Sequence, residues 1–257
     1  MSEPEVIVLP DPAGVAGEAA ERIAAALVGA VEARGRADWA TTGGSTPAAI
    51  YRLLAVPPLR EHVPWDAVHL WWGDDRFVPP DDPLSNVLVA SRTLLGEVAI
   101  PADHVHPFPV EPALAAGETP DGCAARYADA LRDGGVDVVD GWPAFDLAIL
   151  GIGPDAHLLS VFPGSPAFDR SEWALGIPAP AHLEPHVPRV TLNPRVLDVA
   201  RTLLAIVHGA GKAAALGEVF GELRDERRWP AQVARRAGAT WIVDEAAAEH
   251  LPGWART

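Results

Sequence analysis

The chain has a single cysteine, Cys123, so no intrachain disulfide can form and no paired-cysteine metal site can be built. Basic residues are also scarce. Lys and Arg number 20 against 35 Asp and Glu, a formal charge of -15. Such a surface repels phosphate backbones, which excludes nucleic acid and anionic membrane as expected partners. An anionic ligand must instead be held by a local basic pocket working against the global field. No apolar run approaches the ~18 residues that cross a bilayer, so no transmembrane helix is expected. Residues Met1 to Glu5 are acidic where a signal peptide would be basic, and the expectation is a soluble cytoplasmic protein. The P-loop pattern G-x-x-x-x-G-K-S/T is absent, as are the G-x-S-x-G elbow and H-E-x-x-H. His104 and His106 alone are too little for a metal site, so neither metal nor cofactor is expected.

What remains is an ordinary globular mix, 49% apolar and 21% charged, over 257 residues. At ~150 residues per domain, that length allows one large domain or two small ones. Val6 to Leu9 reads as a strand closed by Pro10. Val15, Ala19, Ile23, Leu27 and Val31 recur at helical spacing, with Gly35 as the stop. Further strands are read at Asp38–Thr42, Val68–Trp72, Phe145–Leu150, Leu203–Val207 and Trp241–Val243. Helices are expected from Pro47 to Leu54, from about Ser85 to Leu95, and from Asp121 to Leu131. Others are expected to open at Asn193-Pro194, after Gly211 and near Asp244. Six prolines between Pro163 and Pro188 predict loops there, with one short strand near Trp173–Ile177. Strands alternate with helices and no linker or repeat interrupts them. That order predicts a three-layer α/β/α domain with a mostly parallel, Rossmann-like central sheet. In such sheets ligands bind beyond the C-terminal strand ends, so the segments after the strands carry the functional argument.

Four of those segments are unusual. Gly43-Gly44-Ser45-Thr46-Pro47 turns a strand into a helix start. Its glycines admit close backbone approach, Ser45 or Thr46 is expected to cap, and free N–H groups suit an anion or sugar hydroxyl. An ordinary turn with a helix cap would look the same. Asp74-Asp75-Arg76 offers acids for sugar hydroxyls and a guanidinium for an anion; taken alone, it reads as a solvated loop. Asp155-Ala156-His157 places a carboxylate near an imidazole, the pairing that fixes a tautomer for general-base work. The same stretch, Gly151-x-Gly153-x-x-Ala156, fits a dinucleotide fingerprint, but Pro163 and Pro166 interrupt the helix that should follow. Lys212 sits at a helix start, where the dipole disfavours a cation unless an anion joins it, and Arg189 opens a short strand.

Taken in order, these segments resemble the 6-phosphogluconolactonases of the glucosamine-6-phosphate isomerase/6-phosphogluconolactonase superfamily. Thr42 to Pro47 is similar to S-G-G-S-T-P. Asp74 to Pro79 with Ser85-Asn86 is similar to D-E-R-x-V-P…S-N. Phe145-Asp146-Leu147 through His157, then Ser160 to Pro163, is similar to F-D-L…G-x-G-x-D-G-H-x-x-S-x-F-P. Arg189 to Leu192, Gly209 to Lys212, Trp229 to Ala231, Trp241 and Asp244 continue the resemblance. It implies one 6-phosphogluconolactonase-like domain over residues 1–257 and hydrolysis of a sugar-phosphate lactone without metal or cofactor. It also implies His157 as general base, Asp155 as its orienting partner, and Arg189 and Lys212 at the sugar phosphate near Gly43, Gly44, Ser45 and Thr46. Asp74 and Arg76 are the remaining substrate-binding candidates. The oxyanion is expected to face Arg76 or backbone N–H groups of the turn. A monomer or weak homo-oligomer is expected. The alternatives are an amino-sugar-phosphate isomerase/deaminase, against which Arg76 speaks, and a non-catalytic sugar-phosphate sensor, which could dispense with His157. Three departures stand out: Asp75 replaces Glu, Leu158-Leu159 replaces smaller or polar residues, and Ala156 replaces the Gly before the histidine. If that position needs positive φ, Ala156 is strained by ~1 kcal/mol or more.

Overall fold

The computed structural model describes residues 3–256. Its centre is a seven-stranded, wholly parallel sheet. In chain order the strands are β1 (Glu5–Leu9), β2 (Ala37–Thr41), β3 (Val68–Trp72), β4 (Asp74–Arg76), β5 (Val105–His106), β6 (Val138–Val139), β7 (Trp142–Pro143), β8 (Leu147–Leu150), β9 (Ala174–Ile177), β10 (Arg189–Leu192), β11 (Thr202–Val207) and β12 (Ala239–Asp244). The central order is β1-β12-β11-β8-β2-β3-β5. Strands β2, β8, β11 and β12 are almost continuously buried, as parallel strands covered on both faces must be. Trp39, Trp71, Trp72 and Trp241 lie fully inside the core.

The long helix α1 (Pro12–Arg34) follows from its spacing. It buries Val15, Ala19, Ile23 and Leu27, is capped by Asp11 accepting from Gly14 N–H at 2.8 Å, and stops at Gly35 with φ 77°. Its small alanines let it pack closely against α2 (Ser45–Leu54) and the sheet. Among the described residues no helix is long and apolar enough to cross a membrane.

Several local expectations need correction. Neither Ser45 nor Thr46 caps α2. The cap position is Gly44, at φ 106°, and no side chain accepts a bond there. Asp74–Arg76 is not a solvated loop but strand β4, which pairs antiparallel with β10, itself antiparallel to β9. This second, three-stranded sheet has no signature in the alternation of strands and helices. After Asn193-Pro194 only Val196–Val199 is helical, and strand β12 runs on to Asp244 before two tight turns at Ala247–His250 and Gly253–Ala255. There the Asp244 carboxylate accepts the N–H groups of Gly209 and Ala247, joining two loops.

The strand order decides where a ligand can sit. From β2 the chain builds outward through β3 to β5, then returns to β8 and builds the other way through β11 to β12. The reversal falls between β2 and β8, whose registered pairs are only Trp39↔Leu147 and Ala40↔Ala148. Connections leave that point in opposite directions and open a crevice at the C-terminal ends of the strands. Gly43 follows β2 and Gly151 follows β8.

Candidate active site

A cleft of about 210 Å³ lies at this reversal. Gly43, Asp74, Arg76, His157, Arg189 and Lys212 all line it. They come from five separate segments, so the shared site expected from the sequence is assembled by the topology. Gly44, Ser45 and Thr46 are not in its wall; they begin α2 beside Gly43. Asp155 reaches the cleft only through His157.

The base-bearing segment is a tight turn. Ile152 and Leu158 bridge, Gly153 N–H donates to His157 C=O at 2.8 Å, and Ala156 N–H donates to Gly153 C=O at 3.0 Å. No residue from 151 to 165 is helical, so the dinucleotide fingerprint lacks its helix. Inside the turn, His157 Nδ1 lies 2.5 Å from Asp155 Oδ1. Burial alone would raise the Asp155 carboxyl. The hydrogen bond and charge of His157, with a second hydrogen bond from His182, instead hold it well below the usual carboxylate range. An ionised carboxylate only accepts, so Nδ1 carries the proton and Nε2 is left as the basic nitrogen. The fit requires glycine at 153. A Cβ there would stand 2.0 Å from His157 Nδ1 and 2.6 Å from Asp155 Oδ1.

Strain accompanies this turn. Ala156 has φ 63° and Leu159, which lines the cleft, has φ 52°. Each costs ~1–2 kcal/mol relative to an ordinary conformation. Ala156 is held there by its C=O accepting from Ala231 N–H at 2.9 Å, which ties the turn to the tight helix Pro230–Ala234. Leu159 is accommodated because Gly73 has no side chain; a Cβ at Gly73 would lie 2.7 Å from Leu159 Cδ2.

The opposite wall is the small sheet. Register pairs Arg76 with Arg189 across β4 and β10, so two guanidinium-bearing residues sit side by side. Arg76 donates from Nη1 to Leu84 C=O at 2.7 Å and to Asn86 Oδ1 at 3.1 Å, while its buried Nε has no partner. Arg189 donates to the carbonyls of Val187 and Pro185. Burial and the nearby Arg76 charge lower its affinity for the proton, against the pull of Asp74 and Asp75. Burial likewise lowers Lys212, opposed by the Asp155 charge. Beneath the arginines, Asp75 is pushed up to about 6 by burial, although it accepts from Asn86 N–H and Arg76 N–H, both at 2.7 Å. Asp74 accepts from Ser160 Oγ at 2.6 Å. Gly43 closes the wall, since a Cβ there would overlap Asn86 Oδ1 at 2.0 Å.

The family pattern of glucosamine-6-phosphate isomerases/6-phosphogluconolactonase matches residues 10–242. The chain belongs to that family. Among relatives, the 6-phosphogluconolactonase of Synechocystis sp. is 34% identical over 223 residues, covering 86% of this chain and 88% of that protein. The 6-phosphogluconolactonase of Streptomyces coelicolor is 34% identical, over 97% of this chain and 95% of its own. Among solved structures, the 6-phosphogluconolactonase from Trypanosoma cruzi superposes with a TM-score of 0.85 at 29% identity, covering 98% of both chains. The resemblance drawn from the motifs and the three-layer α/β/α fold is therefore the family's own.

Sequence reasoning missed the Pro-rich segment between β9 and β10. Leu183 and Glu184 from it line the cleft, and His182 donates from Nε2 to Asp155 Oδ2 at 2.9 Å. Nothing in the spacing of that segment signals these contacts. Among the described residues no group of three or more His, Cys, Asp or Glu side chains is placed to hold a metal ion.

Proposed function

We propose that the chain hydrolyses 6-phospho-D-glucono-1,5-lactone to 6-phosphogluconate, with His157 as general base and water as nucleophile. The observation that carries this reading is the 2.5 Å contact from Asp155 Oδ1 to His157 Nδ1 in a cleft that also holds Arg76, Arg189 and Lys212. Nε2 takes a proton from water as the oxygen attacks C1. The imidazolium, stabilised by Asp155, returns that proton to the ring oxygen as the ester bond breaks. The N–H groups of Gly153, Ala156 and His157 are spent inside the turn. Arg76, which lines the cleft, is therefore the better group for the developing oxyanion. Arg189 and Lys212 hold the 6-phosphate, and their grip orients C1 toward His157. Asp74 and Gly43 complete the sugar contacts, with Gly44, Ser45 and Thr46 behind them at the start of α2. The reading is of a single-domain cytoplasmic enzyme, monomeric or weakly associating, without metal or cofactor; its charge of -15 supports a free sugar phosphate over nucleic acid as partner.

The test is proton release from freshly made lactone, corrected for spontaneous hydrolysis. The wild type accelerates it, and His157→Asn loses ~100-fold or more while still folding and binding product. No acceleration by the wild type, or near-normal turnover by His157→Asn, overturns the reading.

A further inference from the structure

One carboxylate serves two imidazoles. Asp155 Oδ1 faces His157 Nδ1 at 2.5 Å, and Oδ2 faces His182 Nε2 at 2.9 Å. Phe162 lies against both rings, tilted to His157 at 4.8 Å and edge-on to His182 at 5.7 Å. His182 belongs to the segment between β9 and β10 that also brings Leu183 to the cleft. That segment is tied down by Arg189 donating to Pro185 C=O at 3.0 Å and by His186 Nδ1 donating to Pro180 C=O at 2.7 Å. We propose that His182 is a positioning residue: it holds the second oxygen of Asp155 and thereby fixes the carboxylate that orients His157. This rests on His157 being the base.

The physical consequence is competition for one charge. Asp155 accepts from both rings, so each donor draws on negative charge that would otherwise serve the other. With Asp155 ionised both bonds are charge-assisted, and the bond to His182 lowers the charge available to stabilise a His157 imidazolium. The two histidines and one aspartate form one coupled unit. The other charged groups facing it are Lys212, whose charge Asp155 feels from the turn after β11, and Glu184, which pairs with His186 at 3.1 Å on the His182 segment itself. The His182 side chain is 52% exposed and that of His157 is 19% exposed, so the second donor can be replaced at the surface without opening the turn.

The experiment is the pH profile of kcat/KM for lactone hydrolysis between pH 5 and 8, in wild type, His182→Ala and His182→Gln. Alanine removes the hydrogen bond. Glutamine keeps a neutral donor for Asp155. In His182→Ala the acid limb moves upward by roughly half a pH unit or more, the direction expected when a competing donor is lost. The rate at pH 7 falls several-fold, and His182→Gln recovers most of that loss. An acid limb that superimposes on wild type in both variants overturns the proposal, because an anchor for the segment alone would lower the rate without moving the limb. If His182→Ala does not fold, the His157 ring nitrogen shifts are followed by NMR across pH in His182→Phe, which keeps a ring against Phe162 but has no donor for Asp155. A midpoint unchanged from wild type overturns the proposal in the same way. His157→Asn separates the two readings: activity surviving in that variant defeats the assignment of the base, whereas an unmoved limb with His157→Asn inactive defeats only the role of His182.

Discussion

Replacing Gly153 with alanine tests the site geometry most directly. The backbone tolerates the change, since Gly153 is not among the residues with positive φ. The new methyl carbon would nevertheless lie 2.0 Å from His157 Nδ1 and 2.2 Å from Cε1. Non-bonded carbon contacts sit near ~3.5–4 Å, so the imidazole must retreat by ~1.5 Å. That movement stretches the 2.5 Å contact to Asp155 beyond hydrogen-bonding range. Misplacing a reacting group by ~1 Å costs ~100-fold, and losing general-base catalysis altogether costs ~100- to 10,000-fold. We expect kcat/KM for the lactone to fall into that range, at least ~2.7 kcal/mol in the barrier. The melting temperature should change little, because the displaced ring can move into the open cleft. Proton release measures the rate, and thermal unfolding followed by circular dichroism checks the fold. Gly151→Ala is the positional control. A Cβ at Gly151 meets nothing within 4 Å, so the His157 ring nitrogen shifts should match wild type there and differ in Gly153→Ala. A folded Gly153→Ala enzyme with activity within a few-fold of wild type refutes the reasoning.

Lys212→Ala should weaken 6-phosphogluconate binding by ~1.5–3 kcal/mol, the range for a charge-assisted hydrogen bond, or about tenfold to a hundredfold. Arg189→Lys should also weaken it, because a planar fork becomes a point charge; calorimetry with gluconate as the unphosphorylated comparison reads both, and an unchanged phosphate preference places the phosphate elsewhere. Ala156→Gly should alter stability by less than ~1 kcal/mol, since relief of the left-handed conformation is offset by the lost buried methyl and the freer unfolded chain; a larger loss in urea unfolding would show that the methyl carries the turn. His69 and His106, 3.0 Å apart between β3 and β5, are each lowered to about 4 by burial and by the charges of Arg36 and His104. The unfolded chain binds those protons near pH 6.5, so their contribution is complete above that pH and is lost as pH falls toward 4, with a slope of up to ~1.4 kcal/mol per pH unit for each proton. Urea midpoints at pH 7 and pH 5 check this, and His106→Phe, which keeps a ring on Trp71, should show a smaller difference between them.

Much of the architecture is written locally. The fourfold spacing of Val15 to Val31 with Gly35 beyond it, and the apolar runs at β2, β3, β8, β11 and β12, depend only on period and on stop residues, which neighbouring positions carry. The same holds for the Asp155–His157 pair, because two residues in one tight turn meet whatever the rest of the chain does. The strain at Ala156 was legible only as a condition, through the resemblance that puts glycine there, and its φ of 63° meets that condition. Strand order was not legible, and it is the order that places Gly43 and Gly151 at one crevice. Nor could Arg76 and Arg189 be seen as neighbours: more than a hundred residues separate them, and only the antiparallel register of β4 with β10 brings them side by side. Asp74-Asp75-Arg76 looked like solvated charge because its burial comes from β10 and the Asn86 helix, not from its own sequence. His182 is the plainest case. It lies in a proline-broken segment with no periodicity, and its partner Asp155 is fixed by a different strand, so their contact is a product of tertiary packing alone.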